Sequence, residues 1–418
     1  MSAAPGLPAP WPASFPELVA TAKGRHPIEL LADLRGDSSP DAQRLALEAA
    51  AIPVRPPALP QGEGLALPHP LDAEWRFSAE TARELVTRAV DTTRPGDKIY
   101  LLGVPTVILA AVESPADRRF CVACEDNVIG AGLAARIAAD PRFRDREAAD
   151  CAGAIVDPPW YPPVFAGLLG LATAACRLGG VVFIGTPPLG VRPTSEAERE
   201  ELRATAARLG LEHLTTGPEE LTYRTPAFEA AAMQAASLHL WLPTWRRGDL
   251  LVFRRDEVRE RPMLPPAPPA FELTLQGVRL RLLARPVAGP DRIVPLVNGE
   301  VFPSVSTRTP GRGGANLWTS GNRAFICPPA ATLTAMQAIA AKQDLWPKGL
   351  DPTGIKSGDS TSVDPIHLLA ELARIAARDL AHTAALVGGS SWNRAANDAR
   401  FLNGSAATFR RTLAGAAG

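Results

Sequence analysis

Ala154-Ile155-Val156-Asp157-Pro158-Pro159-Trp160-Tyr161 is the stretch on which the reading of this chain turns. Apolar, partly β-branched residues read as a short buried strand, and they run straight into an acid, two prolines and an aromatic. Fixed φ and missing N–H groups at the prolines end the strand and leave a stiff turn with outward-facing carbonyls. In open α/β sheets ligands bind just beyond the carboxyl ends of the strands, so Asp157 occupies a place where chemistry is expected. An Asp carboxylate and a Pro carbonyl together accept both hydrogens of an amine and aim its lone pair. The aromatic ring beside them offers a planar group a surface for stacking. Group transfer to such an amine rests on in-line positioning more than on strong acid–base chemistry.

Outward from this stretch, short apolar runs alternate with helical patterns. Strands are predicted at 98–102, 119–123, 153–156 and 181–184, and later at 212–215 and 250–253. Helices fit at 105–113, 127–139, 163–178 and 194–209. Before them, the segment starting at Trp75 opens a helix with Ser78 as N-cap and Glu80 in its first turn, where a carboxylate suits the helix dipole. Short apolar strands separated by helices predict a buried, mostly parallel, doubly wound α/β sheet with helices on both faces.

The expected organisation has three parts. Residues 1–70 hold a Pro/Ala-rich tail, a small helical unit at 16–51 and a proline-rich linker at 53–70. The α/β unit fills 71–260, and the break at 262–269 leads to an α+β domain over 270–418. That last part begins with strand-like alternation over 271–283 and a β-like patch from 292 to 325. Helices follow at 331–343, 364–388 and 393–415.

Composition sets limits. The 418 residues include 42 prolines, and Lys+Arg equals Asp+Glu at 44 each. Zero net charge disfavours duplex DNA as a target gripped along a whole face. Five scattered cysteines suit a reducing cytoplasm better than a disulfide framework. Cys121 and Cys124 form a CxxC within a strand-like segment with no second ligand pair, and no pair of histidines has metal spacing, so no metal site is expected. No stretch has the length of a membrane span or the pattern of a signal peptide.

Asp157-Pro158-Pro159-Trp160 resembles the (Asp/Asn)-Pro-Pro-aromatic motif of N6-adenine and related amino-methyltransferases, a class I S-adenosylmethionine-dependent family. Leu101-Leu102-Gly103-Val104-Pro105-Thr106 and Cys124-Glu125-Asp126 are similar to the motifs of the N6-adenine-methyltransferase-like protein lysine methyltransferases. The resemblance covers roughly residues 75–255. It implies a Rossmann-like sheet, S-adenosylmethionine as cofactor, and Asp157, Pro158, Pro159 and Trp160 as the catalytic set. Leu102, Gly103, Pro105 and Thr106 would line the cofactor, with Glu125 or Asp126 on the ribose hydroxyls. The first strand end carries one glycine, Gly103, where most such enzymes carry two or three and an acid. More distantly the chain resembles branched-chain polyamine synthases, whose first loop is rich in aspartates, whereas Gly103-Val104-Pro105-Thr106 has no acid.

The expected activity is therefore methyl transfer to an amine, whether a nucleobase, a protein lysine or a small molecule. A non-catalytic scaffold of the same fold and an aminopropyltransferase-like alkyl transferase are the alternatives. Outside this region, Asn316-Leu317-Trp318-Thr319-Ser320-Gly321-Asn322-Arg323, preceded by Arg308 and Arg312, reads either as a partner or substrate loop with Trp318 for stacking, or as a glycine-rich hairpin. A protein partner would meet the C-terminal domain.

Overall fold

A computed structural model describes residues 64–72, 75–124, 128–145, 147–236, 244–259, 270–275, 277–284, 291–343 and 365–387. The helical unit expected at 16–51, the linker before residue 64, the break at 262–269, the serine-rich 358–362 and the helix expected at 393–415 lie outside the described residues.

A seven-stranded sheet organises the first part. Its strands are β1 (Arg76–Phe77), β2 (Lys98–Leu102), β3 (Arg119–Ala123), β4 (Cys151–Val156), β5 (Cys176–Thr186), β6 (Leu211–Arg224) and β7 (Arg247–Arg255), in the order β1-β6-β7-β5-β4-β2-β3. The pairs β2–β3, β2–β4 and β4–β5 are parallel, while β7 runs antiparallel between β5 and β6 and β1 is antiparallel to β6. The sheet is thus mixed, where the sequence predicted a mostly parallel one. Single-sequence patterning registers burial but not strand direction, and the long β6–β7 pair closes the sheet in the antiparallel sense.

Alternation along the strands gives the sheet two apolar faces. Ile99, Leu101, Ile155 and Phe183 face α1 (Ala79–Asp91) and α2 (Pro105–Glu113). Tyr100, Leu102, Ala154, Val156 and Ile184 face α4 (Pro162–Ala175) and α5 (Ser195–Arg208). With helices covering both faces, this is a doubly wound α/β fold. Ser78 caps α1 as expected, its hydroxyl accepting from the Thr81 amide at 3.2 Å. The segment before it is not helical: Arg76–Phe77 pairs with Tyr223 and Arg224 on β6. Two helix bounds also shift. α3 (Ala131–Ala139) starts at Ala131, after its N-cap Gly130, rather than at 127. α4 stops at Ala175 rather than 178 because Cys176 pairs with Cys151 on β4.

The second part holds a five-stranded antiparallel sheet, β10-β12-β11-β9-β8, built from β8 (Ala270–Leu275), β9 (Val278–Leu283), β10 (Val294–Pro295), β11 (Leu317–Thr319) and β12 (Ala324–Ile326). The alternation over 271–283 suggested one strand; the chain instead turns at Gly277 and β8 pairs back on β9. α6 (Pro329–Gln343) and α7 (Pro365–Val387) cover this sheet through Met336, Leu368, Leu372 and Ile375. Among the described residues no helix is long and apolar enough to cross a membrane.

Candidate functional site

The register of the parallel strands sets a row of residues at one sheet edge. Leu102 lies beside Val156 and Ala123, and Val156 beside Ile184. Gly103 and Asp157 therefore leave neighbouring strands at the same level, beside Gly185 near the end of β5. Strand order reverses about β2, since β3 lies on one side of it and β4 on the other. Ligands of open α/β sheets sit at such a switch point.

Asp157 is half-buried, and its Oδ1 accepts a hydrogen bond from the Tyr223 hydroxyl at 2.8 Å. Burial pushes the Asp157 carboxyl up to about 7, against the Tyr223 hydrogen bond and the nearby Arg246 cation, which lower it. Tyr223, only 1 % exposed on β6, is driven well above the ordinary phenol range by burial and by the Asp157 charge. The pair behaves as a fixed donor and an acid poised near neutrality. The carbonyl of Pro159 is taken by the Tyr161 amide at 2.7 Å, whereas that of Pro158 accepts no hydrogen bond among the described residues.

Aromatic rings wall this corner. Trp160 meets Tyr223 edge-on at 5.8 Å, and the Arg246 guanidinium lies 5.3 Å from the Trp160 centroid and 4.2 Å from that of Trp75. Arg246 also pairs with buried Glu229 at 3.3 Å, and Glu229 accepts from the Trp75 indole N–H at 2.9 Å. Arg192 donates to the Trp160 carbonyl at 3.0 Å and pairs with Glu198. Burial opposes the charge on Glu198, but Arg192 and Thr194 outweigh it and hold that carboxyl below its usual range. Trp160, Phe165, Thr186, Arg192 and Leu202 line a cleft of about 480 Å³ including its open mouth.

The residues expected around the cofactor divide. Leu102 is buried in the sheet face against α4. Gly103 is exposed with φ +67°, a conformation that glycine adopts without strain. The nearest atom to a side chain placed there is the Asp157 carbonyl oxygen at 4.0 Å, so the backbone faces open space. Pro105 is the first residue of α2, and the buried Thr106 hydroxyl next to it has no partner among the described residues. An open glycine backbone and an unused buried hydroxyl fit a ligand that brings its own polar groups. Glu125 and Asp126 lie outside the described residues, directly after Cys124.

Sequence reasoning did not find Tyr223, Gly185, Arg246, Trp75 or Glu229. Tyr223 and Asp157 are 66 positions apart and meet only because β6 folds back along β7. Trp75 and Trp245-Arg246 did carry a signal, as aromatic and cationic residues flanking the strand segments. In the other direction, Trp318 is corrected: it is 0 % exposed within β11, and Arg323 is consumed by Asp379 and Glu300. This stretch is the buried hairpin of the second sheet, and Trp318 offers no face to an incoming base.

No family model and no curated protein matches the chain. Among solved structures, it is similar to a branched-chain polyamine synthase mutein from Thermus thermophilus bound to N4-aminopropylspermidine and 5'-methylthioadenosine, at 16% identity and TM-score 0.40, over 60% of this chain and 90% of that one. A T. thermophilus 16S rRNA N2 G1207 methyltransferase with AdoMet and guanosine matches at 16% identity and TM-score 0.25, over 55% and 52%. A geranyl diphosphate methyltransferase in complex with SAM matches at 13% identity and TM-score 0.28, over 42% and 85%.

Proposed function

We propose that the chain is an S-adenosylmethionine-dependent methyltransferase that acts on an amine, as its Asp-Pro-Pro-Trp motif implies. The observation that carries this reading is Asp157: a half-buried carboxyl at the switch point of the sheet, held by Tyr223, beside the unclaimed Pro158 carbonyl and the Trp160 ring. When bound, S-adenosylmethionine supplies an electrophilic methyl group. Gly103 and Thr106 would hold it, with Glu125 and Asp126 as the acids for its ribose. Asp157 and the Pro158 carbonyl accept the two amine hydrogens, which fixes the lone pair in line and supplies most of the rate through orientation. Asp157 then holds the proton that the alkylated nitrogen sheds, a role suited to a carboxyl near pH 7. Trp160 shapes the entry to the cleft.

Calorimetric titration of the full chain with S-adenosylmethionine tests this directly. A Kd on the order of 10–100 μM is expected, equivalent to about −7 to −5.5 kcal/mol. Gly103→Val, which puts a β-branched side chain at φ +67°, is expected to weaken binding at least ~10-fold through backbone strain. If decarboxylated S-adenosylmethionine binds and the parent compound does not, the alkyl-transferase alternative takes its place. If neither binds, the enzyme reading fails.

Tyr223→Phe gives a second, kinetic test. The Tyr223 hydrogen bond lowers the Asp157 pKa, so its loss raises that pKa further above about 7. The carboxylate is the working form, so the acidic limb of the kcat profile moves to higher pH. A hydrogen bond is worth about 0.5–1.5 kcal/mol, or roughly half to one pH unit. An unmoved limb would separate Asp157 from the rate.

A further inference from the structure

Arg312 differs from the other buried arginines of the second sheet. Arg279 and Arg281 pair with Asp72 and Glu272, and Arg323 with Glu300 and Asp379. Arg312 is 4 % exposed, yet among the described residues no carboxylate accepts from it. Its Nη1 reaches the Ser304 carbonyl at 3.0 Å and its Nη2 the Pro70 carbonyl at 3.3 Å. Its guanidinium lies 4.3 Å from the centroid of the Trp318 ring. Two of its five N–H groups thus find acceptors, and carbonyls do not neutralise the charge. Burial lowers its pKa to about 10, and the Tyr161 phenol is the one ionisable group that acts on it from the Asp-Pro-Pro-Trp turn. A buried cation without a counter-charge is costly to the fold.

The loop that carries Arg312 lies against the catalytic corner. Near its start, Val305 packs with Phe228 and Ala232, with Trp75 against the same cluster. Further along, Arg308 approaches Glu198 on the cleft wall at 3.7 Å. Its root is fixed by Asn322, whose amide donates to the Phe302 carbonyl at 2.6 Å. The loop of the second sheet that carries Arg312 therefore runs beside the cleft wall, with Tyr161, the neighbour of Trp160, near enough to act on its charge. Next to Arg312 sits His69, fully buried and kept neutral by burial and by the charges of Arg281, Arg279 and Arg312.

We propose that Arg312 is the anchor of an anion subsite, so that the acceptor of this cleft carries an acidic group, a carboxylate or a phosphate, in addition to its amine. Guanidinium donors in a fixed fork suit either group. The proposal rests on the amine-acceptor reading for its meaning, but the subsite itself is measurable without any transfer reaction. A neutral His69 beside it would add a hydrogen-bond partner without adding charge.

The experiment titrates inorganic phosphate and, separately, malonate into the full chain at constant ionic strength, by calorimetry. Saturable binding of at least one anion is expected with Kd on the order of 0.1–10 mM, the weak range that suits a fragment. Arg312→Gln is expected to weaken it at least ~10-fold. Arg312→Lys, which keeps the charge but loses the fork, should weaken it less, and it serves if the glutamine variant does not fold. Arg308→Gln, at an exposed residue of the same loop, should change it less than about twofold. Stronger binding of phosphate points to a phosphorylated acceptor and stronger binding of malonate to a carboxylated one. Absence of saturable binding, or equal binding by both Arg312 variants and the parent, overturns the proposal. S-adenosylmethionine titrated into the same samples reads the methyltransferase assignment separately, since it can fail while anion binding persists.

Discussion

Asp157→Asn is expected to lower kcat on the amine acceptor by about 10²–10⁴-fold, the range for loss of a positioned proton acceptor, while the protein stays at least as stable as its parent at pH 8. The amide keeps the size of the side chain and one acceptor oxygen. It turns the second acceptor into a donor aimed at the amine, and it cannot take up the proton. The stability half follows from the sign of the pKa shift. Burial raises the folded-state pKa to about 7, above the unfolded value of about 3.9. From about pH 4 to 7 the folded carboxyl therefore retains a proton that the unfolded chain has lost, and stability falls as pH rises through this window. Above about pH 7 the folded site carries a poorly solvated charge that asparagine lacks. Melting temperatures at pH 5 and pH 8 check this: the difference, variant minus parent, should be more positive at pH 8. A variant with near-parental turnover removes Asp157 from the chemistry, and a fall in melting temperature at pH 8 makes it structural.

Gly185→Ala is expected to disable the same site from the strand behind it. A methyl group at Gly185 would lie inside van der Waals contact with Asp157 Oδ1, 2.8 Å from the Tyr223 hydroxyl and 3.2 Å from Leu221 Cδ1. The carboxylate and phenol meet where they do because position 185 has no side chain. Overpacking of this kind costs about 1–3 kcal/mol, and the alternative is displacement of Asp157 from its hydrogen bond. Either way, transfer should fall by about 10²-fold or more, since small misplacements at a reacting centre have effects of that size. S-adenosylmethionine binding at Gly103 should change little by comparison. Denaturant unfolding together with kinetics checks both halves. A variant with parental stability and parental turnover would show that the Asp157–Tyr223 pair is not tightly held.

The sequence by itself determined the alternation of the central strands and helices, because buried strands and helices leave periods in apolar residues that need no distant partner. The strands 98–102 and 119–123 and the helix 105–113 have the bounds read from the sequence. Asp157 was legible for the same reason: an acid and two prolines at the end of an apolar run form a local statement. Direction of pairing was not legible, and neither was the turn at Gly277 within a seemingly continuous strand.

Only the tertiary structure decided the company that Asp157 keeps. Tyr223, Gly185 and Arg246 come from β6, β5 and the approach to β7, and they meet it through strand order and register. The same holds for the polar stretch 316–323. Its aromatic and charged residues read either as a partner or substrate loop or as a glycine-rich hairpin; it is the hairpin, with Trp318 buried and Arg323 paired, while the buried arginine without a carboxylate partner among the described residues is Arg312 upstream. Local pattern reports which residues tend to be buried. Whether a buried charge finds its counter-charge depends on contacts made across the whole chain, and no window of sequence contains them.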